Sequence, residues 1–387
     1  MVQAVRAGQS VRAVARQFRV SRPTVERWVA RAGACRLDRV DWADRPSTPR
    51  TVNRTSLAIE DRVLAVRREL QMTSALGEYG AAAIHRELAA AGVTPVPAIR
   101  TIGRILDRRG ALDGRRRHRL PPPPRGWYLP AVATGEAELD SFDIIEGLVI
   151  EGGLPVDVLT ALSLHGGLAA AWPVAAVTTD VVLEALVTHW AGIGLPTYAQ
   201  FDNDTRFQGA HQFRDAIGRV TRLCLSIGVI PVFTPVQEHG FQAALEAFNG
   251  RWQAKVWHRF HHESVAVLQG RSTRYIAAHR QQAARRHEAA PPRRSFPTGW
   301  RFDPLAPPRG RIIFLRRTSA LGTVALLGHA FPVDSGWPHR LVRCELDLEA
   351  ERIQFYALRR RQPTAQPLLH EVPYVWRGRK RDRVASR

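Results

Sequence analysis

Three carboxylates in this chain stand where an acid is hard to explain as a surface group: Asp140, Asp202 and Glu246. Asp140 falls inside the apolar run ELDSFDII, and Asp202 closes the run PTYAQFD. Glu246 lies in LEAFNGRWQAK, whose apolar residues recur at helical spacing. A carboxylate within an apolar strand is costly without a counter-charge, and a metal ion is one source of that charge. Carboxylate oxygens are the donors that hard cations such as Mg²⁺ prefer, with Mn²⁺ as a substitute. Three carboxylates can hold two ions. One such ion activates the attacking oxygen of an in-line phosphoryl transfer and the other stabilises the leaving oxygen, so no protein nucleophile is needed. Taken singly these signals are weak, since an acid at a strand end is more often a turn residue; the set carries the chemistry.

The elements around these acids read as a mixed α/β unit over 131–290. Three apolar runs, ELDSFDII, PVDVLTALSL and GLAAAWPVAA, are separated by Gly-containing turns and predict three strands. A helix over 180–193, capped by Thr178 or Thr179, precedes a fourth strand that ends in Asp202. A helix over 209–227, a fifth strand (VIPVFTP) and a long helix over 241–260 follow. The order βββαβαβα is that of a mixed sheet with helices on its faces. In the long helix Leu245, Phe248, Trp252 and Val256 form the apolar stripe. Glu246 borders it with Asn249, Gly250 and Gln253, while Arg251, Lys255 and Arg259 point elsewhere and are available for phosphates. Asp143, three residues past Asp140 in the same strand, faces the opposite side of the sheet and is left outside the acidic set. A helix over 264–288 leads into a Pro/Arg hinge at 291–294.

The flanks differ in composition. The chain has 387 residues and a net charge of +21; residues 1–130 hold 25 Arg against 11 Asp and Glu, whereas 131–290 hold 12 basic and 16 acidic groups. No Lys or Arg occurs between Arg125 and Arg206. Basic ends around an acidic centre suit a polyanionic partner held on either side of a metal-using core, although an ordinary buried sheet can also lack basic residues. Residues 1–35 read as a helix-turn-helix. Ser10 opens a helix with Val11, Val14, Ala15 and Phe18 on one face, and Pro23 opens a second that exposes Arg22, Thr24 and Arg27, as a major-groove helix does. Any small helical hairpin shares this periodicity. A linker over 38–55 leads to a second, winged helix-turn-helix over 56–110. Its last helix carries Ile99, Ile102, Ile105 and Leu106 on one side and Arg100, Arg104, Arg108 and Arg109 on the other; the bland alternative is a basic helix packed on the core. Residues 111–130, with an arginine run and four prolines, read as a stiff spacer. Short apolar runs over 305–362 predict a small β-barrel whose Arg311, Arg316, Arg317, Arg343 and Arg352 offer phosphate contacts, and 363–387 reads as a basic tail. Three scattered cysteines form neither a disulfide framework nor a zinc pattern, and no apolar run is long enough to span a membrane.

LDSFDIIEG, FDNDTRF and LEAFNGRWQAK together resemble the three signature segments of the retroviral-integrase-like DDE transposases of bacterial insertion sequences. The resemblance covers about 136–262, and more loosely the helix-turn-helix units before it and the barrel after it. It implies an RNase H-like core, with Asp140, Asp202 and Glu246 as ligands of two Mg²⁺ ions. It also implies cleavage and joining of double-stranded DNA at transposon terminal repeats, a dimer or tetramer on DNA, and a cytoplasmic, nucleoid-associated location. Three departures stand out. Asp204 replaces the Gly that usually follows Asp-Asn; 43 residues separate Asp202 from Glu246, more than is usual, so that Glu238 is a rival; and His239-Gly240 replaces an Asn-Gly pair. A non-catalytic DNA-binding regulator or accessory protein with a decayed core, and a structure-specific nuclease, are the competing readings.

Overall fold

The computed structural model describes residues 1–43, 55–112, 125–209, 213–238 and 240–377. Most of the expected linker, the arginine and proline runs of the spacer, and nearly all of the terminal RGRKRDR lie outside the described residues. The chain divides into two compact units, Met1–Leu57 and Ala58–Arg387. Among the described residues no helix is long and apolar enough to cross a membrane.

The first unit contains α1 (Val2–Arg6), α2 (Val11–Gln17) and α3 (Arg22–Ala32). Ser10 and Ser21 cap the helices they precede, accepting from the amides of Ala13 at 3.2 Å and Thr24 at 3.4 Å. Val14, Ala15 and Val25 meet in a small core.

The second unit opens with α4 (Leu57–Thr73), α5 (Ala81–Ala90) and α6 (Ile99–Arg108). Val63, Val66, Ile84, Leu88, Ile102 and Ile105 are buried together between them. The carboxylate of Glu60 is buried there and is held by Arg108 and Arg109, so Arg108 is bound within the fold rather than free for DNA. No strand forms within 55–112, and the expected wing is therefore absent among the described residues.

A short helix α7 (Pro130–Ala133) precedes the sheet. Trp127, Tyr128 and Leu129 just before it are buried, so the spacer as drawn to residue 130 ends too late: three apolar side chains there find a core to fill. The sheet then follows the expected order. Strands β1 (Leu139–Val149), β2 (Pro155–Ser163) and β3 (Ala169–Val174) form an antiparallel meander. Helix α8 (Thr179–Ile193), capped by the Thr178 hydroxyl, leads to β4 (Tyr198–Phe201), parallel to β1. A short α9 (Thr205–Gln208) follows; of the helix expected over 209–227 the described residues form α10 (Arg219–Ser226), and β5 (Ile230–Phe233) lies parallel to β4. Helix α11 (Ala243–Trp252) passes into a π-helical turn, Gln253–Trp257, before α12 (Val265–Glu288).

The C-terminal strands do not close a barrel. Strands β6 (Arg311–Arg317), β9 (Leu341–Asp347), β10 (Arg352–Ala357) and β11 (Leu368–Pro373) extend the same sheet, while β7 (Thr323–Leu326) and β8 (His329–Pro332) form a separate hairpin. The order is β11-β10-β9-β6-β5-β4-β1-β2-β3. The join is β5 to β6, parallel, with Val232 opposite Ile313 and Phe233 opposite Phe314. It satisfies β5, whose free edge would otherwise leave backbone groups unpaired. Phe314, Cys344 and Phe355 then share one core with Phe142, Phe201 and Phe233. Nor do the arginines of these strands form an open phosphate surface. Arg343 is buried; Arg352 pairs with Glu371 at 3.3 Å; and Arg311 lies 3.8 Å from Glu345.

Strand β1 lies between β4 and β2 in this sheet, and its alternation sorts Asp140 and Asp143 onto opposite faces. Phe142 and Ile144 pack toward α8, where Trp190 is buried, while Ile145 packs with Phe248 of α11. Asp140 has the parity of Phe142, and its side chain is fully buried. Arg293 donates to both its oxygens, at 3.0 and 2.5 Å, the Ser163 hydroxyl donates at 2.6 Å and the Trp190 indole at 2.9 Å. Burial alone would raise the Asp140 pKa, but the Arg293 guanidinium outweighs it and the net shift is downward. The expected metal ligand is therefore a structural anion whose counter-charge is an arginine. The segment expected as a hinge is the anchor: Leu195 and Arg294 exchange two backbone hydrogen bonds, at 2.7 and 3.0 Å.

Replacing Asp140 with Ala leaves the Arg293 charge buried and unpaired, which costs about 3–5 kcal/mol. Urea unfolding of Asp140→Ala should show that loss, and Asp140→Leu combined with Arg293→Met should recover most of it. The carboxylate pKa is depressed, so its contribution is present at neutral pH and is lost only as the pH falls below the ordinary carboxylate range toward the folded-state value. Stability that is unchanged in Asp140→Ala would contradict the structural role.

Candidate active site

Asp143, three residues beyond Asp140 on β1, points to the face covered by α11. Its Oδ2 accepts from the Nδ2 of Asn249 at 2.8 Å, and its Oδ1 accepts from the Ile144 amide at 2.9 Å. Asn249 lies one turn beyond Glu246 on α11, so this bond fixes the helix that carries Glu246 against the strand that carries Asp143. Burial, opposed by the Ile144 amide, and then the negative charges of Asp202 and Glu246 push the Asp143 carboxyl up to about 6. Asp202 and Glu246 thus both lie close enough to Asp143 for their charges to act on it.

Asp202 follows β4 directly. The parallel register sets Ser141 beside Gln200, and continuing it by two residues sets Asp143 beside Asp202. Burial raises the Asp202 pKa; the Asp204 amide, donating to Oδ1 at 3.0 Å, opposes this, and the charges of Asp204 and Glu146 add to the rise. The turn after Asp202 is pinned from the C-terminal strands. Asn203 donates to the Thr234 carbonyl at 2.7 Å, and Arg316 of β6 donates to the Asn203 side-chain oxygen and to the same Thr234 carbonyl, both at 3.1 Å. Burial lowers the Arg316 pKa to about 10. Glu246 is exposed in the first turn of α11, where the helix dipole favours an anion.

The remaining expectations separate by what each side chain touches. Glu238, the rival of Glu246, is paired with Arg317 and belongs to the loop before α11. Asp204 caps α9 and is neutralised by Arg206 at 2.6 Å, which also reaches Glu146 at 2.8 Å, so the extra charge is compensated locally. Lys255 is not free for phosphates: its Nζ donates to the Gly77 carbonyl at 2.9 Å, and Arg259 donates to the carbonyls of Ser74 at 2.7 Å and Gln71 at 3.2 Å, closing the C-terminal end of α4. Arg251, Arg100 and Arg104 are exposed. In α3, Arg22 pairs with Glu26 at 2.8 Å, Thr24 shares a hydrogen bond with the Ser21 hydroxyl at 2.8 Å, and Arg27 is exposed.

The sequence reading named three residues of this site without their roles: it set Asp143 aside, placed Asn249 only on the border of the helix stripe and read Arg316 as a phosphate contact. Strand alternation correctly separates Asp140 from Asp143, but it cannot tell which face α11 will cover. The Glu-x-x-Asn spacing on the helix was the available signal, because the two side chains lie on one side and the Asn needs a partner.

Among the described residues no three His, Cys, Asp or Glu side chains form a ready-made metal cage. The donor set nevertheless fits a hard divalent cation: Asp143, Asp202 and Glu246 offer only oxygen, and the charges of Asp202 and Glu246 acting on Asp143 leave negative charge for a cation to offset.

Residues 1–37 match the family described as Homeodomain-like domain. No curated protein matches the chain. Among solved structures it is similar to a chain of the simian T-cell lymphotropic virus intasome in complex with PP2A regulatory subunit B56 gamma. That match has 15% identity and a TM-score of 0.31, covering 48% of this chain and 62% of that one. It is also similar to the HTLV-2 integrase catalytic core domain in complex with magnesium (dimeric form), with 11% identity and a TM-score of 0.27, covering 41% of this chain and 87% of that one. The chain thus spans about three-fifths of the length of the intasome chain.

The raised Asp143 carboxyl makes a signed prediction. The folded state keeps its proton up to about pH 6, whereas an ordinary Asp releases it near 3.8. In the metal-free protein the charge therefore opposes folding above that pH, and Asp143→Asn should raise the melting temperature at neutral pH. Mg²⁺ or Mn²⁺ binding, followed calorimetrically, should strengthen as the pH rises through about 6 and should be lost in Asp143→Asn. Equal metal affinity in wild type and variant would remove Asp143 from the site.

Proposed function

We propose that this protein is a metal-dependent polynucleotidyl transferase, a DNA transposase or integrase of the DDE type with an RNase H-like core. The observation that carries the reading is the coupling of Asp143 to Asp202 and Glu246 at one end of a βββαβαβ sheet. In this reading Asp143, Asp202 and Glu246 hold two Mg²⁺ ions; Asp143 takes the place that the sequence alone assigned to Asp140. When bound, divalent cations supply activation of the attacking oxygen and charge compensation at the leaving oxygen.

The side chains of the chain itself do the positioning. Asn249 fixes one oxygen of Asp143 and leaves the carboxylate one orientation. Arg316 and Asn203 hold the turn after Asp202, so that this acid keeps its place beside Asp143 when charged DNA approaches. The α3 helix, with Arg22, Thr24 and Arg27, is read as the base-reading element, and the exposed Arg100, Arg104 and Arg251 as phosphate contacts. Double-stranded DNA with terminal repeats is the proposed substrate. Joining two ends to one target requires two sites held together, hence a dimer or tetramer on DNA.

Two experiments test this. Purified protein with Mg²⁺ should cut and join DNA carrying its own element's ends. Asp143→Ala, Asp202→Ala and Glu246→Ala should each abolish cleavage while keeping DNA affinity, and Glu238→Ala should remain active. Affinity for DNA without any Mg²⁺- or Mn²⁺-dependent cleavage in the wild type would leave a DNA-binding protein with an inactive core. Separately, removal of residues 1–43 should erase discrimination between terminal-repeat and random DNA. Undiminished discrimination in that truncation would move sequence reading out of α3.

A further inference from the structure

Beside the acidic cluster, the loop that leads into α11 and the C-terminal strands enclose a cleft of about 480 Å³, within the size range of small-ligand sites. Its apolar wall is aromatic. Trp127 and Phe241 are nearly buried, with ring centroids 5.6 Å apart, and Trp337 lines the cleft with them. Its rim is cationic: Arg317 is paired with Glu238, but among the described residues Arg340 and Arg360 have no carboxylate partner, and both are exposed. The Arg340 guanidinium lies 4.5 Å from the Trp337 ring centroid. The guanidinium covers that ring face, so a nucleobase stacking on Trp337 takes its place and frees Arg340 to reach a phosphate.

The wall is fixed to the elements that hold the carboxylates. The Phe241 carbonyl accepts from the Tyr128 hydroxyl at 2.9 Å and from Gln200 at 3.4 Å, and Gln200 precedes Asp202 by two residues on β4. Phe241 itself precedes Glu246 by five residues. On β6, Arg317 of the rim follows Arg316, which bonds Asn203 next to Asp202. A purely apolar ligand would leave the arginines unused, and an acidic peptide would leave the aromatic wall unused. A flat aromatic group carrying a phosphate uses both. In a duplex the base faces are already stacked, so the nucleotide has to be unpaired.

We propose that this cleft binds an unpaired nucleotide of the DNA strand engaged at the carboxylates, its base stacked on the aromatic wall and its phosphate held by Arg340 and Arg360. The proposal rests on the polynucleotide reading above and adds to it a requirement for strand opening next to the reacting phosphate. The same base-and-phosphate chemistry is offered by a free mononucleotide, and the test distinguishes the two sources.

The full-length protein, without divalent metal, is titrated against a duplex bearing a single-stranded extension that contains 2-aminopurine. The comparisons are the matching blunt duplex with 2-aminopurine paired and 2-aminopurine deoxynucleotide monophosphate alone. The expected result is quenched fluorescence and tighter binding for the extended duplex only. Trp337→Ala should weaken binding of the extended duplex roughly five- to a hundredfold, and Trp337→Phe should restore most of it. Arg340→Glu and Arg360→Glu change exposed side chains and should lose the preference without changing the melting temperature. The proposal is overturned if wild type binds both duplexes equally, or if both charge reversals keep the preference. Quenching of the monophosphate at the affinity of the extended duplex would assign a free nucleotide and overturn the strand. Cleavage of the same DNA with Mg²⁺, measured in parallel, separates the two readings. Cleavage without the preference sinks the cleft alone, and the preference without cleavage sinks the transferase alone.

Discussion

Asp140 and Arg293 meet in a place almost without water, and much of the molecule is arranged around that meeting. A carboxylate fully buried near the start of β1 could not stay charged there without a partner, and Arg293, Ser163 and the Trp190 indole together satisfy both of its oxygens. The arginine comes from the segment after α12, 153 residues further along the chain. The pair therefore fixes where the chain must pass after its longest helix, and the Leu195–Arg294 bridge continues the fastening. Breaking either partner strands a buried charge, so the path is strongly specified although the net worth of such a pair is modest.

With one face of β1 closed in this way, the other is left for chemistry. Asp143 is turned toward α11 by the pleat, and the bond to Asn249 sets the helix height at which Glu246 faces it. The burden of like charges is visible in Asp143, whose proton is held to about pH 6. Elsewhere negative charge is neutralised by the chain itself, as in the Asp204–Arg206–Glu146 chain one turn away. Among the described residues Asp143, Asp202 and Glu246 form no ion pair, although Arg206 is close enough to Asp202 to oppose the rise of its pKa.

The arginine content of the chain is misleading as a measure of DNA-binding surface. Arg108 and Arg109 hold Glu60, Lys255 and Arg259 close the end of α4, Arg293 holds Asp140, and Arg316 fixes the Asn203 turn. These cations hold the fold together by capping carbonyls and pairing with buried acids. Because Arg316 comes from β6, the C-terminal strands are a structural part of the acidic site and not an appendage to it.

Much of this was legible in the residues alone. The capped helices of the first unit, the strand and helix order from Leu139 to Glu288, and the presence of an acid after β4 and another on α11 all follow from local periodicity and capping, which act between residues a few positions apart. The choice between Asp140 and Asp143 was not local. Period-two alternation says that the two point to opposite faces, but which face receives α11 depends on the path of a chain about a hundred residues further along. The fate of the C-terminal strands was equally hidden. Their sequences specify extended, half-buried segments, and a barrel or an enlarged sheet satisfies that pattern equally well. Only the unpaired edge of β5, which exists once the core has folded, decides that β6 docks there and carries Arg316 to the site.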